Sequence, residues 1–209
     1  MLLFVIYIPS PDDRKSHSVG GTMSLQVIIL IRVFIAVELP EEFQDRIREI
    51  QSGFTGFRVR PVRPDHVHIT LKFLGGVKES NVPYIVDALD NLGGVAFDAR
   101  IAGVGAFPTP SRARVVWLGA EGEFGVLHDR VESALSPFKF KKDRRDYMPH
   151  ATLARVKHMP ADQKDEFKAV LDCLKGAHVG TMRVDRIQLK KSTLTPEGPI
   201  YETLHEVML

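Results

Sequence analysis

The chain has one cysteine, Cys173, so no disulfide can form within it. A lone thiol suits a reducing compartment. On the apolar stripe of its helix, Cys173 reads as a core residue and not as a reactive one. Long apolar runs are also missing. Met1 to Ile8 is short, and Leu25 to Val37 is broken by Arg32. Neither reaches the roughly 18 apolar residues of a spanning helix. There is no basic segment before the first run and no clear cleavage site, which speaks against a signal peptide. We therefore expect a cytoplasmic protein with no membrane attachment. Charge of one sign is scarce as well: the formal net charge of +2 does not by itself point to nucleic acid. A metal-ligand set is wanting too. His66 and His68 form a His-x-His, but no neighbouring Cys or carboxylate pattern completes a site, so no metal is expected.

What remains is an ordinary globular composition, 44% hydrophobic and 26% charged, in a chain of 209 residues. That is long enough for one large domain or two small lobes with a genuine core. Residues 1–30 differ from the rest in composition. They read as an N-terminal extension, with the domain proper spanning 31–209.

One tetrapeptide occurs twice, as His68-Ile69-Thr70-Leu71 and His150-Ala151-Thr152-Leu153. This composition would yield roughly 0.03 copies of His-x-Thr-Leu by chance. Around the first copy Val67, Ile69, Leu71 and Phe73 alternate with His66, His68, Thr70 and Lys72, the pattern of a half-buried strand. The second strand, about 150–156, places His150, Thr152 and Ala154 on one face. Helices are expected over about 40–52, 82–92, 124–135 and 161–174 from their apolar spacing. Further strands are expected near 32–38, 97–107, 112–118, 182–189 and 200–207. Each motif strand is followed by a helix and then by paired strands, a weak duplication with the motifs 82 residues apart. This predicts an α+β fold of two pseudo-symmetric lobes of antiparallel sheet, with helices outside and an active-site cleft between them.

Two histidines are what phosphodiester chemistry needs without a metal. One takes a proton from the nucleophile and the other gives one to the leaving oxygen. On a strand, i and i+2 share a face, so His and Thr of each motif project together. The threonine hydroxyls can donate to phosphate oxygens. The two motifs are nearly symmetric, so the pattern does not say which histidine is acid and which is base. Positive charge gathers nearby. From Phe138 to Lys157 there are seven Lys or Arg against two Asp, a net +5, and Arg58, Arg60 and Arg63 form a second cluster. Such charge beside a reactive pair suits an anionic substrate. Lys141, Lys142, Arg144 and Arg145 are RNA-binding candidates on this ground. Lys72 is a further phosphate-contact candidate, with simple exposure as the alternative.

The runs Arg32-Val-Phe-Ile-Ala-Val-Glu-Leu-Pro40, Val67-His-Ile-Thr-Leu-Lys-Phe-Leu-Gly75 and Pro149-His-Ala-Thr-Leu-Ala-Arg155 resemble the 2H phosphoesterase superfamily. More narrowly they resemble its RNA 2′,3′-cyclic phosphodiesterase branch, also called 2′-5′ RNA ligase. The resemblance spans about 32–207. It implies hydrolysis of an RNA-terminal 2′,3′-cyclic phosphate to a 2′-phosphate, without metal or other cofactor. The reverse 2′-5′ joining reaction is open to the same groups. His68 would be the general acid and His150 the general base. Thr70, Thr152 and Arg155 would hold the phosphate, with stacking on the terminal base the alternative for Arg155. Phe34 would offer a platform for a base, with core packing as the alternative. The implied partner is RNA with a cyclic-phosphate end, tRNA fragments among the candidates, and no obligate protein partner is implied. Two rival readings stand beside this one: a 2H enzyme acting on a small cyclic nucleotide, and a non-catalytic module that binds RNA ends.

Overall fold

The computed structural model describes residues 3–5, 27–141 and 146–209. Ten strands alternate with four helices. In chain order they are β1 (Leu3–Val5), β2 (Val27–Glu38), α1 (Gln44–Ser52), β3 (Val59–Pro61), β4 (His68–Lys78), α2 (Val82–Asp90), β5 (Phe97–Phe107), β6 (Val115–Glu121), α3 (Phe124–Ala134), β7 (His150–Val156), α4 (Lys164–Leu174), β8 (His178–Val184), β9 (Arg186–Thr195) and β10 (Gly198–Met208). The α+β expectation holds. Of the segment 1–30, β1 pairs antiparallel with the start of β2, which begins four residues before the expected boundary.

The strands hydrogen-bond in the order β10-β9-β2-β4-β7-β6-β5-β8, with every pairing antiparallel. The two motif strands are the middle pair. Four strands therefore lie on either side of the pseudo-symmetry axis, and each lobe is led by one motif. Strands β4 and β7 share one register pair, Ile69 with Ala151. Beyond it the partner edge of β7 is taken by β3, from Pro61 opposite Ala154 to Val59 opposite Val156. The lobes thus diverge from a narrow seam, which opens a cleft.

Apolar spacing decides which face the helices cover. Phe43, Ile47 and Ile50 recur at i, i+4 and i+7 and are all buried. They join Ile35, Ile69, Ala151 and Leu153 in one core cluster with Ile85, Leu89, Leu127, Val131, Phe167 and Leu171 from the other helices. The helix before each motif strand crosses to the other lobe: α1 lies against β7, and α3 against β4.

One expectation needs correction. Residues 182–189 form two strands, not one. Val184 ends β8 and Arg186 begins β9, with Asp185 alone between them. Strand β8 pairs with β5 at one end of the order, while β9 pairs with β2 near the other. A single residue spans too little to join distant edges, so the two ends of the strand order come together at Asp185, whose carbonyl accepts from Leu209 N at 2.8 Å. Val184 and Ile187 are both buried, and no Gly or Pro interrupts the run, so its composition carries no break signal.

Candidate active site

With Ile69 opposite Ala151 in an antiparallel register, His68 stands across from Thr152 and Thr70 across from His150. Ile69 and Ala151 are buried on the helix face, while both histidines and both threonines are part-exposed on the other. The site is thus built around a pseudo-twofold axis through one pair of apolar side chains.

Both imidazoles are pinned in the same way. His68 Nδ1–H donates to the His66 carbonyl at 2.8 Å, and His150 Nδ1–H donates to the Met148 carbonyl at 2.7 Å. A carbonyl only accepts, so in each neutral ring the proton sits on Nδ1 and Nε2 carries the free lone pair. Protonation of either ring turns its Nε2 into a donor. Both forms needed for acid–base work are therefore available at one atom of each residue.

A β-bulge follows each motif. In β4, Ala36 pairs with Thr70 but Ile35 with Lys72, leaving Leu71 as the extra residue. In β7, Trp117 pairs with Thr152 but Val116 with Ala154, leaving Leu153. The side-chain alternation shifts by one residue at each bulge. Residues 68–74 and 150–156 consequently share the same pattern of burial position by position. The sixth position of each strand, Phe73 and Arg155, turns to the site face. The fifth, Lys72 and Ala154, turns to the helices.

Two candidate residues are corrected by this geometry. Lys72 is 3% exposed and paired with Glu132 of α3, so it does not face a substrate. Phe34 is 3% exposed and stacks on the His68 ring with centroids 5.0 Å apart, so it forms the wall behind the histidine and offers no free face to a base. Phe73, assigned to the core by simple alternation, is 63% exposed and lies beside Phe34 at 6.0 Å. Ala154, placed beside His150 by the same alternation, is buried. Arg155 and Lys141 are exposed. Lys142, Arg144 and Arg145 lie outside the described residues. Cys173 is exposed and not in the core.

The surroundings of the two histidines differ. His68 sits between Phe34 and the edge of Tyr201, whose ring centroid is 5.3 Å away. Burial pushes its pKa down to about 4, and Lys190 adds to the fall, while the His66 carbonyl and Glu38 hold it up. Lys190 is itself buried and fully engaged, with Glu38, with Gln188 Oε1 at 3.0 Å and with Thr203 at 3.3 Å. Gln188 in turn donates to Glu206 at 2.6 Å. His150 is flanked by the edge of Phe107, 4.9 Å between centroids. Phe107 also packs against Trp117, whose indole lies over Gly105, so a Cβ there would fall inside the ring.

A cleft of about 430 Å³ opens beside His68, lined among others by Glu38, Asp65, His66, Lys190 and Tyr201. Tyr147 ties the two motifs from behind. Its hydroxyl donates to the Thr70 carbonyl at 3.3 Å and its ring stacks on His128. Among the described residues, no three His, Cys, Asp or Glu side chains converge as a metal site would need. No helix is long and apolar enough to cross a membrane among those residues. Tyr201, Phe107, Trp117, Lys190 and Tyr147 were not legible as site residues. Each makes its contact with a residue distant in sequence, Tyr147 with Thr70 across 77 positions, and no local pattern marks that contact.

A family model described as "LigT like Phosphoesterase" matches residues 37–117 and 119–201. A protein of Methanothermobacter thermautotrophicus named RNA 2′,3′-cyclic phosphodiesterase is 38% identical over 177 residues, covering 82% of this chain and 95% of its own length. One of the same name from Aeropyrum pernix is 39% identical over 168 residues, covering 78% of this chain and 92% of its own. The crystal structure of TT0787 of Thermus thermophilus superposes with a TM-score of 0.70 at 30% identity, over 86% of this chain and 98% of that one. Escherichia coli LigT in complex with 3′-AMP shares the fold, with a TM-score of 0.70 at 23% identity over 87% of this chain and 99% of its own. The internal match falls as two consecutive segments, one for each motif-bearing half, and with relatives of this identity and coverage the chain belongs to the LigT-like phosphoesterase family.

Proposed function

We propose that this protein hydrolyses the 2′,3′-cyclic phosphate at an RNA end to a 2′-phosphate. The observation that carries the reading is the antiparallel pairing of the two motifs across Ile69 and Ala151, with both Nε2 atoms on the open face. Water attacks phosphorus in line. His150 takes the water's proton as the new O–P bond forms, and His68 gives its proton to O3′ as the P–O3′ bond breaks. Thr70 and Thr152 donate to the non-bridging oxygens. Arg155 supplies positive charge near the growing negative charge on phosphorus. With a 5′-hydroxyl as nucleophile in place of water, the same ring opening joins RNA through a 2′-5′ bond: His150 takes the hydroxyl proton as the P–O5′ bond forms, and His68 protonates O3′ as it leaves.

The acid role asks something of His68. Burial keeps it neutral in the free protein at pH 7. The bound phosphate anion provides the opposite charge that lets it hold a proton. Phe73 and Arg155, turned to the open face by the two bulges, give the terminal base an aromatic surface and a cation on which to stack. We take 31–209 as the unit that carries the activity and place it in the cytoplasm, acting on the ends left by RNA cleavage, those of tRNA fragments among them.

The direct test is incubation with a short RNA ending in a 2′,3′-cyclic phosphate in excess EDTA, with 2′- and 3′-phosphate products resolved. Conversion to the 2′-phosphate is the expected result. A folded protein that leaves the ring intact, or opens it to the 3′-phosphate, overturns the reading.

A further inference from the structure

Arg60 lies directly opposite Arg155 in the β3–β7 ladder, and both are exposed. Directly opposed residues share a face, so Arg60 faces the same side as Arg155, the side of His150 and Thr152. Like charges in this arrangement weaken a sheet. Among the described residues neither Arg60, Arg155 nor Arg32 has a carboxylate partner, whereas Arg63, Arg100, Arg183 and Arg186 each do. Arg32 belongs to the same region. It shares a row with Ser192 and Tyr201, and Arg32 and Arg155 both act on the Tyr201 hydroxyl, opposing the rise in its pKa that burial causes. Three guanidinium groups without a carboxylate partner among the described residues thus gather on the side of Tyr201, which lines the cleft.

The position of Arg60 is also held. Its guanidinium donates to the Glu197 carbonyl in the turn between β9 and β10, and lies so close to Gly198 that a Cβ there would meet Nη2 at 3.3 Å. The side chain therefore reaches from the edge of one lobe to the hairpin of the other, with N–H groups left over. From Thr152 the path to Arg60 runs about 10 Å along β7 and then one strand spacing, about 4.8 Å, to the side. With its guanidinium engaged at the hairpin turn, Arg60 is placed for the next anion along a polynucleotide and not for the phosphate held by Thr152.

We infer that Arg60 binds the phosphodiester on the 5′ side of the terminal nucleotide, so that the site takes the end of an RNA chain in preference to a free cyclic mononucleotide. This rests on the proposed reaction and adds a second phosphate subsite to it. An internal phosphodiester carries the charge the arginine pair lacks, and a mononucleotide has no such group to offer.

The test compares a trinucleotide ending in a 2′,3′-cyclic phosphate with the corresponding nucleoside 2′,3′-cyclic phosphate. Arg60→Ala should raise KM for the trinucleotide about tenfold relative to KM for the mononucleotide, with kcat ratios held. It should also flatten the slope of log KM against log salt for the trinucleotide by about 0.7, the value for one phosphate contact on a single strand. Arg60→Lys should restore the salt slope. An equal loss on both substrates, which a merely structural role predicts, or no loss on either, overturns the inference. If Arg60→Ala does not fold, the wild-type protein decides. A salt slope no steeper for the trinucleotide than for the mononucleotide counts against a second phosphate contact, and a slope steeper by about 0.7 supports it. Failure of wild type to turn over either substrate would instead defeat the proposed reaction.

Discussion

Ile69 and Ala151 face each other as the one register pair between the two motif strands, and both are almost fully buried. The separation of the two imidazoles depends on this contact. Ala151→Leu adds volume at a seam with no room to take it. We expect a loss of about 1–3 kcal/mol in stability and a fall in kcat larger than any change in KM. Denaturant unfolding with steady-state kinetics checks this, and wild-type values for both would show that the seam does not set the site.

His68→Ala and His150→Ala should each lower turnover by roughly 10²–10⁴-fold. The double variant should fall little further than the worse single one, because acid and base act as a unit. Additive losses in a kinetic cycle would mean that the two histidines do not share one step.

The pH dependence of stability follows from His68. Its folded pKa of about 4 lies below the 6.5 of an unperturbed imidazole, so between these values the unfolded chain binds more protons. Its contribution is intact above pH 6.5 and is lost as pH falls toward 4, by up to about 1.4 kcal/mol per unit. The melting temperature should drop over this window in wild type and drop less in His68→Ala. NMR titration of the His68 ring should show its pKa rising when inorganic phosphate binds. A pKa unmoved by phosphate would transfer the acid role to His150.

Phe73 and Phe34 should separate binding from stability. Phe73→Ala, at an exposed position, should raise KM about tenfold or more through lost stacking of about 1–3 kcal/mol, with little change in melting. Phe34→Ala should instead destabilise by about 3–5 kcal/mol, since it empties a buried site behind His68. Equal effects of both on KM alone would contradict the face assignment made by the bulge.

Lys72 and Glu132 form a pair between β4 and α3. Glu132→Gln leaves a buried ammonium without its counter-charge and should cost about 3 kcal/mol. Lys72→Met, with similar volume and no charge to bury, should be close to neutral in stability and in RNA turnover. A large KM increase in Lys72→Met would restore it as a phosphate contact.

Much of the fold was legible because local patterns agree with the tertiary arrangement. Phe43, Ile47 and Ile50 lie on one helical stripe and bury together, and β7 spans the residues that its alternation predicts. The misplacements of Lys72, Phe73 and Ala154 share one cause. Simple alternation placed Lys72 with His68 and Phe73 in the core, and the bulge at Leu71 exchanges them. It placed Ala154 beside His150, and the bulge at Leu153 replaces it with Arg155. A bulge depends on how two strands register against each other, and neither strand's own sequence records it.

The sequence by itself determined the two His-x-Thr-Leu motifs, their strand context and the acid–base chemistry their residue types allow, because these depend on covalent identity and on spacing along one strand. The tertiary structure alone decided the rest. It set Ile69 against Ala151, gave the two histidines unequal surroundings, turned Phe73 and Arg155 to the open face, and brought Arg60 opposite Arg155. These are relations between segments far apart in the chain, fixed by strand register and burial, and no local pattern encodes them.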